Sequence, residues 1–323
     1  MKPLIAVSLG DPAGIGPEIV VEAAARSSVR RACRLLVYGD EGVLAVARRI
    51  RKVRKDASTA IERVEPVTSL RIDGALPRPA IRCGEAAFRY FEAAAGATAG
   101  GECDALATAP LNKLWMNRAG HHYDGHTEYL SEIGGRPATM MLAGPKLRVV
   151  LVTTHVAVSS VPKLLSTERI VAAGRVTAAH LRLYHGLAKP RLAVAALNPH
   201  AGEGGLFGDE EARVIAPAVA RLRRAGIDAR GPFPADTMFA AVVAGDYDAA
   251  LCMYHDQALI PLKLVDFRRA VNVSMGLPFL RTSPDHGTAY DLAGTGRASA
   301  DSMEAAILLA ASMSRAASRV SGA

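Results

Sequence analysis

Short apolar runs alternate with longer stretches of helical periodicity along most of the chain. Residues 4–10 (LIAVSLG), 34–39 (RLLVYG), 104–110 (DALATAP), 191–197 (RLAVAAL) and 248–254 (DAALCMY) are of strand length and apolar almost throughout. A strand that is apolar on both faces is one covered on both faces, so these runs read as buried strands. Segments 17–27, 85–97, 209–225 and 300–316 instead carry their apolar residues at helical spacing. Strand–helix alternation of this kind predicts an α/β architecture with mainly parallel sheets. One stretch departs from it. Over 139–154, TMMLAG and LRVVLVTTH flank Gly144, Pro145 and Lys146. So short a connection predicts an antiparallel hairpin, because a parallel crossover needs about a dozen residues. An extra hairpin inside an α/β chain is a candidate dimer-forming element.

Length and composition narrow the picture. The 323 residues exceed one ordinary core and suit two lobes. Aromatic residues make up 5% of the chain, so the cores are built from aliphatics. No apolar run reaches the roughly 18 residues that span a bilayer. The opening MKPLIAVSLGDPAG passes from an apolar run straight into a Gly-rich turn with no cleavage-site pattern, and reads as a first buried strand. Cys33, Cys83, Cys103 and Cys252 stand singly, which points to a reducing compartment and to thiols used for packing. Together these features predict a cytoplasmic protein. The net charge is +8, and its densest segment is Arg48, Arg49, Arg51, Lys52, Arg54 and Lys55, on a predicted helix. No stacking aromatics or recognition module accompany it. A solvated face, or a positive field that draws in small anions, is therefore expected rather than a nucleic-acid surface.

Four groups of residues have chemistry to offer. GDPAGIGPE, Gly10 to Glu18, follows the first strand directly, and Pro17 suits the first turn of a helix. Its glycines allow a tight turn that brings N–H groups towards a ligand, and Asp11 adds a polar group. It is not the dinucleotide fingerprint, since Gly14 and Gly16 give G-x-G without the third glycine. A purely structural turn explains it equally well. His155, His200 and His255 each close an apolar strand, placing them near the carboxyl edge where open α/β sheets bind ligands. Three neutral imidazoles suit a catalytic divalent ion with positions left open. Any one of them alone is explained as a packing residue; the shared setting carries the argument. His121, His122, His180 and His185 lack that setting.

The third group is Gly125-His126-Thr127-Glu128 with Lys263, Asn272 and Arg281, which offers donors and cations to a phosphate or carboxylate. On these residues alone, surface ion pairing is the stronger explanation of the charged members. Asp236, in GPFPADT, precedes a helix and is either an N-cap or a proton acceptor. The last group is DHGTAYDLAGTG, Asp285 to Gly296, which suits a loop wrapping a nucleotide with Asp291 reaching a ribose. A loop closing onto the final helix is the plainer reading.

Taken together these motifs resemble one family, the 4-hydroxythreonine-4-phosphate dehydrogenases of pyridoxal phosphate synthesis and their close relatives. GDPAGIGPE, TAPLNK, GHTEY, VTTH, LNPHAGEGGLFGDEE, GPFPADT, MYHDQ, VNVSMGLPFLRTS and DHGTAYDLAGTG occur in the family's order from residue 10 to residue 296. The resemblance implies a homodimer of two-lobed α/β/α subunits of the isocitrate and isopropylmalate dehydrogenase type. The active site would lie in the interlobe cleft and be completed by the partner. The lobes are expected at 1–125 plus 275–323 and at 126–274, the second holding the hairpin and the metal ligands. His155, His200 and His255 carry over as ligands of zinc, cobalt or magnesium. His126, Thr127, Lys263, Asn272 and Arg281 carry over as substrate contacts, with Asp236 and Lys263 as catalytic candidates. NAD is expected at Gly10, Asp11, His286, Gly287 and Asp291. Ala258 departs from the family, which commonly has glycine after His-Asp-Gln, and this bears on substrate preference.

The activity so implied is metal-dependent oxidation of 4-phosphohydroxy-L-threonine by NAD, with loss of carbon dioxide. A paralogue acting on D-threonate or D-erythronate 4-phosphate is the alternative within the family. An aromatic cis-dihydrodiol carboxylate dehydrogenase is a further one, although members of that branch lack the His-Thr-Glu found at 126–128. A metal-dependent hydrolase is the alternative of a different class, and would have no use for NAD.

Overall fold

The computed structural model describes residues 1–54, 59–70 and 72–321; Lys55 of the basic segment lies outside them. The chain divides into two compact units, residues 1–138 with 277–323 and residues 139–276.

The first unit is built on a parallel sheet ordered β3-β2-β1-β4-β11, from Ile61–Glu65, Arg34–Tyr38, Leu4–Ser8, Ala105–Thr108 and Arg281–Pro284. Ile5, Ala6 and Val7 of the central β1 are fully buried, as a strand covered on both faces requires. On one face the helix Ile81–Ala99 sets Phe88 and Phe91 against Ala6, Leu36 and Leu106. The Thr282 hydroxyl donates to the Ala306 carbonyl at 2.9 Å, tying β11 to the long helix Asp301–Ser321. The predicted helix at 17–27 runs Gly16–Ala25 and stops where Arg26 turns extended.

The second unit carries strands ordered β10-β5-β6-β9-β7-β8, from Val271–Met275, Thr139–Ala143, Arg148–Leu151, Ala249–Cys252, Arg191–Ala195 and Asp228–Phe233. β5 and β6 form the predicted antiparallel hairpin, with Met141 opposite Val150. β5 is also antiparallel to β10, whereas β6, β9, β7 and β8 run parallel. Ala193, Ala250 and Cys252 face a core closed by Met238 and Val242 from the helix Ala235–Ala244 and by Ala258 and Leu262 from the helix His255–Asp266. The methyl of Ala258 is thus core packing. The helix Thr167–His185 packs against β6, β9 and β10. It begins at Ser166, whose hydroxyl accepts from the Arg169 N–H, and ends at left-handed Gly186.

Residues 126–138, which the sequence reading puts in the second lobe, pack with the first unit. The His126 ring meets Phe91 edge to face at 4.5 Å, and Leu130 is buried in the same core. All four cysteines are free and buried. Among the described residues no helix is long and apolar enough to cross a membrane.

Candidate functional site

Three parallel strands of the second unit lie side by side in the order β6, β9, β7. His155 follows β6, His255 opens the helix after β9, and His200 follows β7. Adjacency of these strands is what converts residues far apart in sequence into neighbours at one sheet edge. The His155 and His255 rings lie 5.7 Å apart, tilted by 45°. Nδ1 of His255 meets the Asp256 carboxylate at 2.7 Å, a contact that fixes the orientation of a ligating imidazole. His200 is exposed beside Phe207, ring centroids 6.2 Å apart. Among the described residues no three His, Cys, Asp or Glu side chains are drawn tightly enough together to hold one ion. Two of the three imidazoles therefore meet, and the third is carried at the neighbouring strand end. Donor type and strand topology fit a divalent ion.

Side chains that the sequence reading left unassigned lock these strand ends together. The Thr153 hydroxyl donates to the Met253 carbonyl at 2.7 Å, and Val152 N–H to the Cys252 carbonyl at 2.9 Å, joining β6 to β9. The buried Gln257 accepts from Met253 N–H and donates to the Ala196 carbonyl, both at 2.7 Å, joining β9 to β7. The signal was present in VTTH and MYHDQ. Those words hold the frame as well as the histidines.

His200 itself sits in a left-handed stretch. His200, Ala201 and Glu203 have φ of 52°, 53° and 43°, a region that costs residues with a Cβ about 1 kcal/mol or more each. The remaining candidates of this unit are more scattered. Asp236 is exposed and lines a groove of about 550 Å³ together with Tyr254 and Asp256, the residues flanking His255. Lys263 lies farther along the helix His255–Asp266 and is half-buried. Asn272 stands on β10 opposite Leu142, its buried Oδ1 without a hydrogen-bond partner among the described residues.

In the first unit, the end of β4, the start of β11 and the helix His126–Ile133 assemble a cationic cluster. Arg281 is 2% exposed and donates to the Thr108 hydroxyl at 2.8 Å. Burial pushes its guanidinium down to about 9, with Glu128 opposing the shift. His126 is held well below its usual value by burial and by nearby Arg281 and Lys113, so its ring is neutral at physiological pH. Its Nε2 is buried and has no hydrogen-bond partner among the described residues. Two cations beside a buried ring nitrogen on the first turn of a helix are groups that suit an anion. Thr127 is the next residue of that turn. Lys113, from TAPLNK, is the member the sequence reading passed over.

The Gly-rich turn is tied into the fold by its own polar groups. Asp11 is fully buried, and its carboxylate accepts from Ala13 N–H at 2.8 Å and from the Tyr290 hydroxyl at 2.5 Å. Gly10 has φ +73°, and a Cβ there would lie 2.5 Å from the Pro110 carbonyl. Glu18 accepts from Gly294 N–H at 2.6 Å and from Gly296 N–H at 3.2 Å. The turn thus staples the 285–296 loop in place. Beside it opens a cavity of about 540 Å³ lined by Ala13, Arg49, Arg78, Tyr290, Ala293 and Gly294, among others. Gly10, Asp11, His286, Gly287 and Asp291 are absent from its lining; His286 and Asp291 are exposed. The expected segment is there, but Tyr290 and Gly294 rather than those five present surface to the cavity.

Comparison with known proteins places this arrangement. The family model of the pyridoxal phosphate biosynthetic protein PdxA matches residues 31–310. A 4-hydroxythreonine-4-phosphate dehydrogenase of Geobacter metallireducens is 51% identical, over 97% of this chain and 96% of its own. The crystal structure of 4-hydroxythreonine-4-phosphate dehydrogenase from Klebsiella pneumoniae superposes with a TM-score of 0.84 at 41% identity, covering 97% of this chain and 98% of that one. A terephthalate 1,2-cis-dihydrodiol dehydrogenase from Burkholderia xenovorans gives 0.68 at 32%, with the same coverage. As fold alone, an isocitrate dehydrogenase from Methylococcus capsulatus matches at 0.50 and 14% identity, over 100% of this chain and 89% of its own.

Proposed function

This chain belongs to the PdxA family of pyridoxal phosphate biosynthetic proteins, and on that premise we propose that it oxidises 4-phosphohydroxy-L-threonine with NAD and a divalent metal ion. The observation that carries this reading is the 51% identity, held over 97% of the chain, to a protein named for that activity. The pairing of His155 with His255 and the anion-receiving cluster around His126 support it.

In the second unit we assign His155, His200 and His255 to the metal, with Asp256 orienting His255. When bound, the ion would polarise the alcohol oxygen and NAD would accept the hydride from the same carbon. In the first unit Arg281, Lys113 and the N–H groups opening the helix His126–Ile133 hold the substrate phosphate, and the neutral His126 donates from Nε2. The alcohol proton must leave as the ketone forms, and Asp236 is the carboxylate assigned to take it. Lys263 and Asn272 are assigned to the substrate's remaining polar groups. The carbon dioxide lost next leaves its electron pair on the adjacent carbon, which a proton then fills. NAD is assigned to the 540 Å³ cavity, where Arg49 and Arg78 offer cations to its phosphates.

The groove of about 550 Å³ on the second unit is assigned to a second copy of the chain. Ile260, Leu264 and Phe267 are 66%, 85% and 73% exposed on or beside it, more apolar surface than a lone subunit usually leaves in water. A substrate panel followed by NADH absorbance tests the activity. It compares 4-phosphohydroxy-L-threonine with D-threonate and D-erythronate 4-phosphates and an aromatic cis-dihydrodiol carboxylate. The expected result is the highest kcat/KM for the first; a higher value for another reassigns the substrate, and no NADH with any favours a hydrolase.

A further inference from the structure

We propose that Glu211 is the positioning residue for His200, the anchor around which the whole 197–208 loop is wound. This rests on the reading of His200 as a metal ligand. Glu211 is 6% exposed, and its carboxylate accepts three hydrogen bonds from that loop's base. Oε1 receives both Leu197 N–H and Asn198 N–H at 2.8 Å. Oε2 receives the Asn198 side-chain amide at 3.0 Å and stands where a Cβ on Gly202 would come within 2.8 Å. Asn198 is also held by Glu210 at 2.7 Å. Both limbs of the loop therefore close on one carboxylate: the strand exit before His200, and the turn after it.

Two further features single this residue out. Glu211 opens a one-turn π-helix, Glu211–Ile215, before the helix Ala216–Arg224 begins. An extra residue in the turn costs hydrogen-bond quality and is retained mostly where a side chain must be aimed. The left-handed run at His200, Ala201 and Glu203 is strained, and such strain persists only where surrounding contacts over-determine it. A buried acceptor of three N–H donors at the loop's base is that contact. Without it the loop relaxes, and the His200 imidazole leaves the edge shared with His155 and His255.

The test uses Co²⁺ as probe, titrated into the full-length protein and followed by its visible absorption, on wild type, Glu211→Gln, Asp209→Asn and His200→Ala. Glu211→Gln keeps the size of the side chain but turns an N–H₂ towards donors. The expected result is Co²⁺ affinity lowered about tenfold or more and an altered spectrum in Glu211→Gln, with Asp209→Asn unchanged. Asp209 pairs with Arg213 on the surface of the same segment. Melting of the metal-free proteins is measured alongside. If Glu211→Gln does not fold, Gly202→Ala probes the opposite limb, with the same loss expected. Wild-type titration in a folded Glu211→Gln, while His200→Ala loses Co²⁺, overturns the positioning role. A wild type whose Co²⁺ binding is unaffected by His200→Ala overturns the three-histidine reading beneath it.

Discussion

Arg281 shows how burial and chemistry combine in one residue. A guanidinium this enclosed carries a cost of solvation, which the Thr108 hydroxyl and nearby Glu128 oppose. On the proposed function, the substrate phosphate adds a charge-assisted hydrogen bond to it. Arg281→Ala is therefore expected to raise KM for the phosphorylated substrate by about tenfold to a hundredfold, the worth of a charge-assisted hydrogen bond, with KM for NAD unchanged. Steady-state kinetics with each substrate varied in turn checks this; a change in NAD alone reassigns the residue. Arg281 and His126 entered the sequence reading as substrate contacts through the family resemblance, since surface pairing explains such residues more simply when taken alone. Gln257, Thr153, Glu211 and Lys113 did not enter it, because their roles are set by which strands become neighbours. Asp11 lies in a Gly-rich turn whose structural and ligand-facing readings the sequence left equal; the Tyr290 hydroxyl bonding its carboxylate belongs to the structural one.

At the scale of the element, the helix Thr167–His185 carries an acid-sensitive cluster. The rings of His180 and His185 lie 5.5 Å apart, tilted by 50°, and among the described residues neither buried Nε2 has a hydrogen-bond partner. Burial, with Arg148 nearby, pushes their imidazoles down from 6.5 to about 3 and about 4. Arg148 donates to the Asp248 carbonyl, and Tyr184 packs on His180, so the groups facing the pair are a cation and a ring. Depressed folded values mean stability that is complete above pH 6.5 and is lost as the pH falls through the folded values, since the unfolded chain takes protons the folded one refuses. His180→Leu should recover on the order of 2 kcal/mol of the acid loss, read as a flatter melting temperature against pH. An unchanged slope would remove His180 from the account. Strands such as β1 and β9, buried on both faces, were legible as unbroken apolar runs. β3 and β8 (IERVE and DARGPF) are edge strands with exposed positions and left no such run. The hairpin was legible from its turn residues, whereas the fate of 126–138 depended on Phe91, far away in sequence.

For the whole molecule, the exposed apolar groove on the helices Ala235–Ala244 and His255–Asp266 carries the prediction. Leu264→Glu places a charge where a second subunit is assigned, and should yield monomer in sedimentation velocity at a concentration where the wild type is dimeric. A Leu264→Glu protein that sediments as the wild type would place the subunit contact elsewhere. The sequence announced the two-unit α/β organisation through its alternation of strands and helices, and the family through words spread from end to end. It could not announce the groove, because apolar helix faces look alike whether a core or a partner covers them.

The central claim is that the histidines at the ends of β6, β9 and β7 serve a metal on which oxidation depends. Its most direct test is NADH formation from 4-phosphohydroxy-L-threonine by protein stripped with a chelator, then resupplied with zinc, cobalt or magnesium. The account predicts turnover lost on stripping, restored by at least one of the ions, and restored by none in His155→Ala. Undiminished NADH formation by the metal-free protein would contradict it.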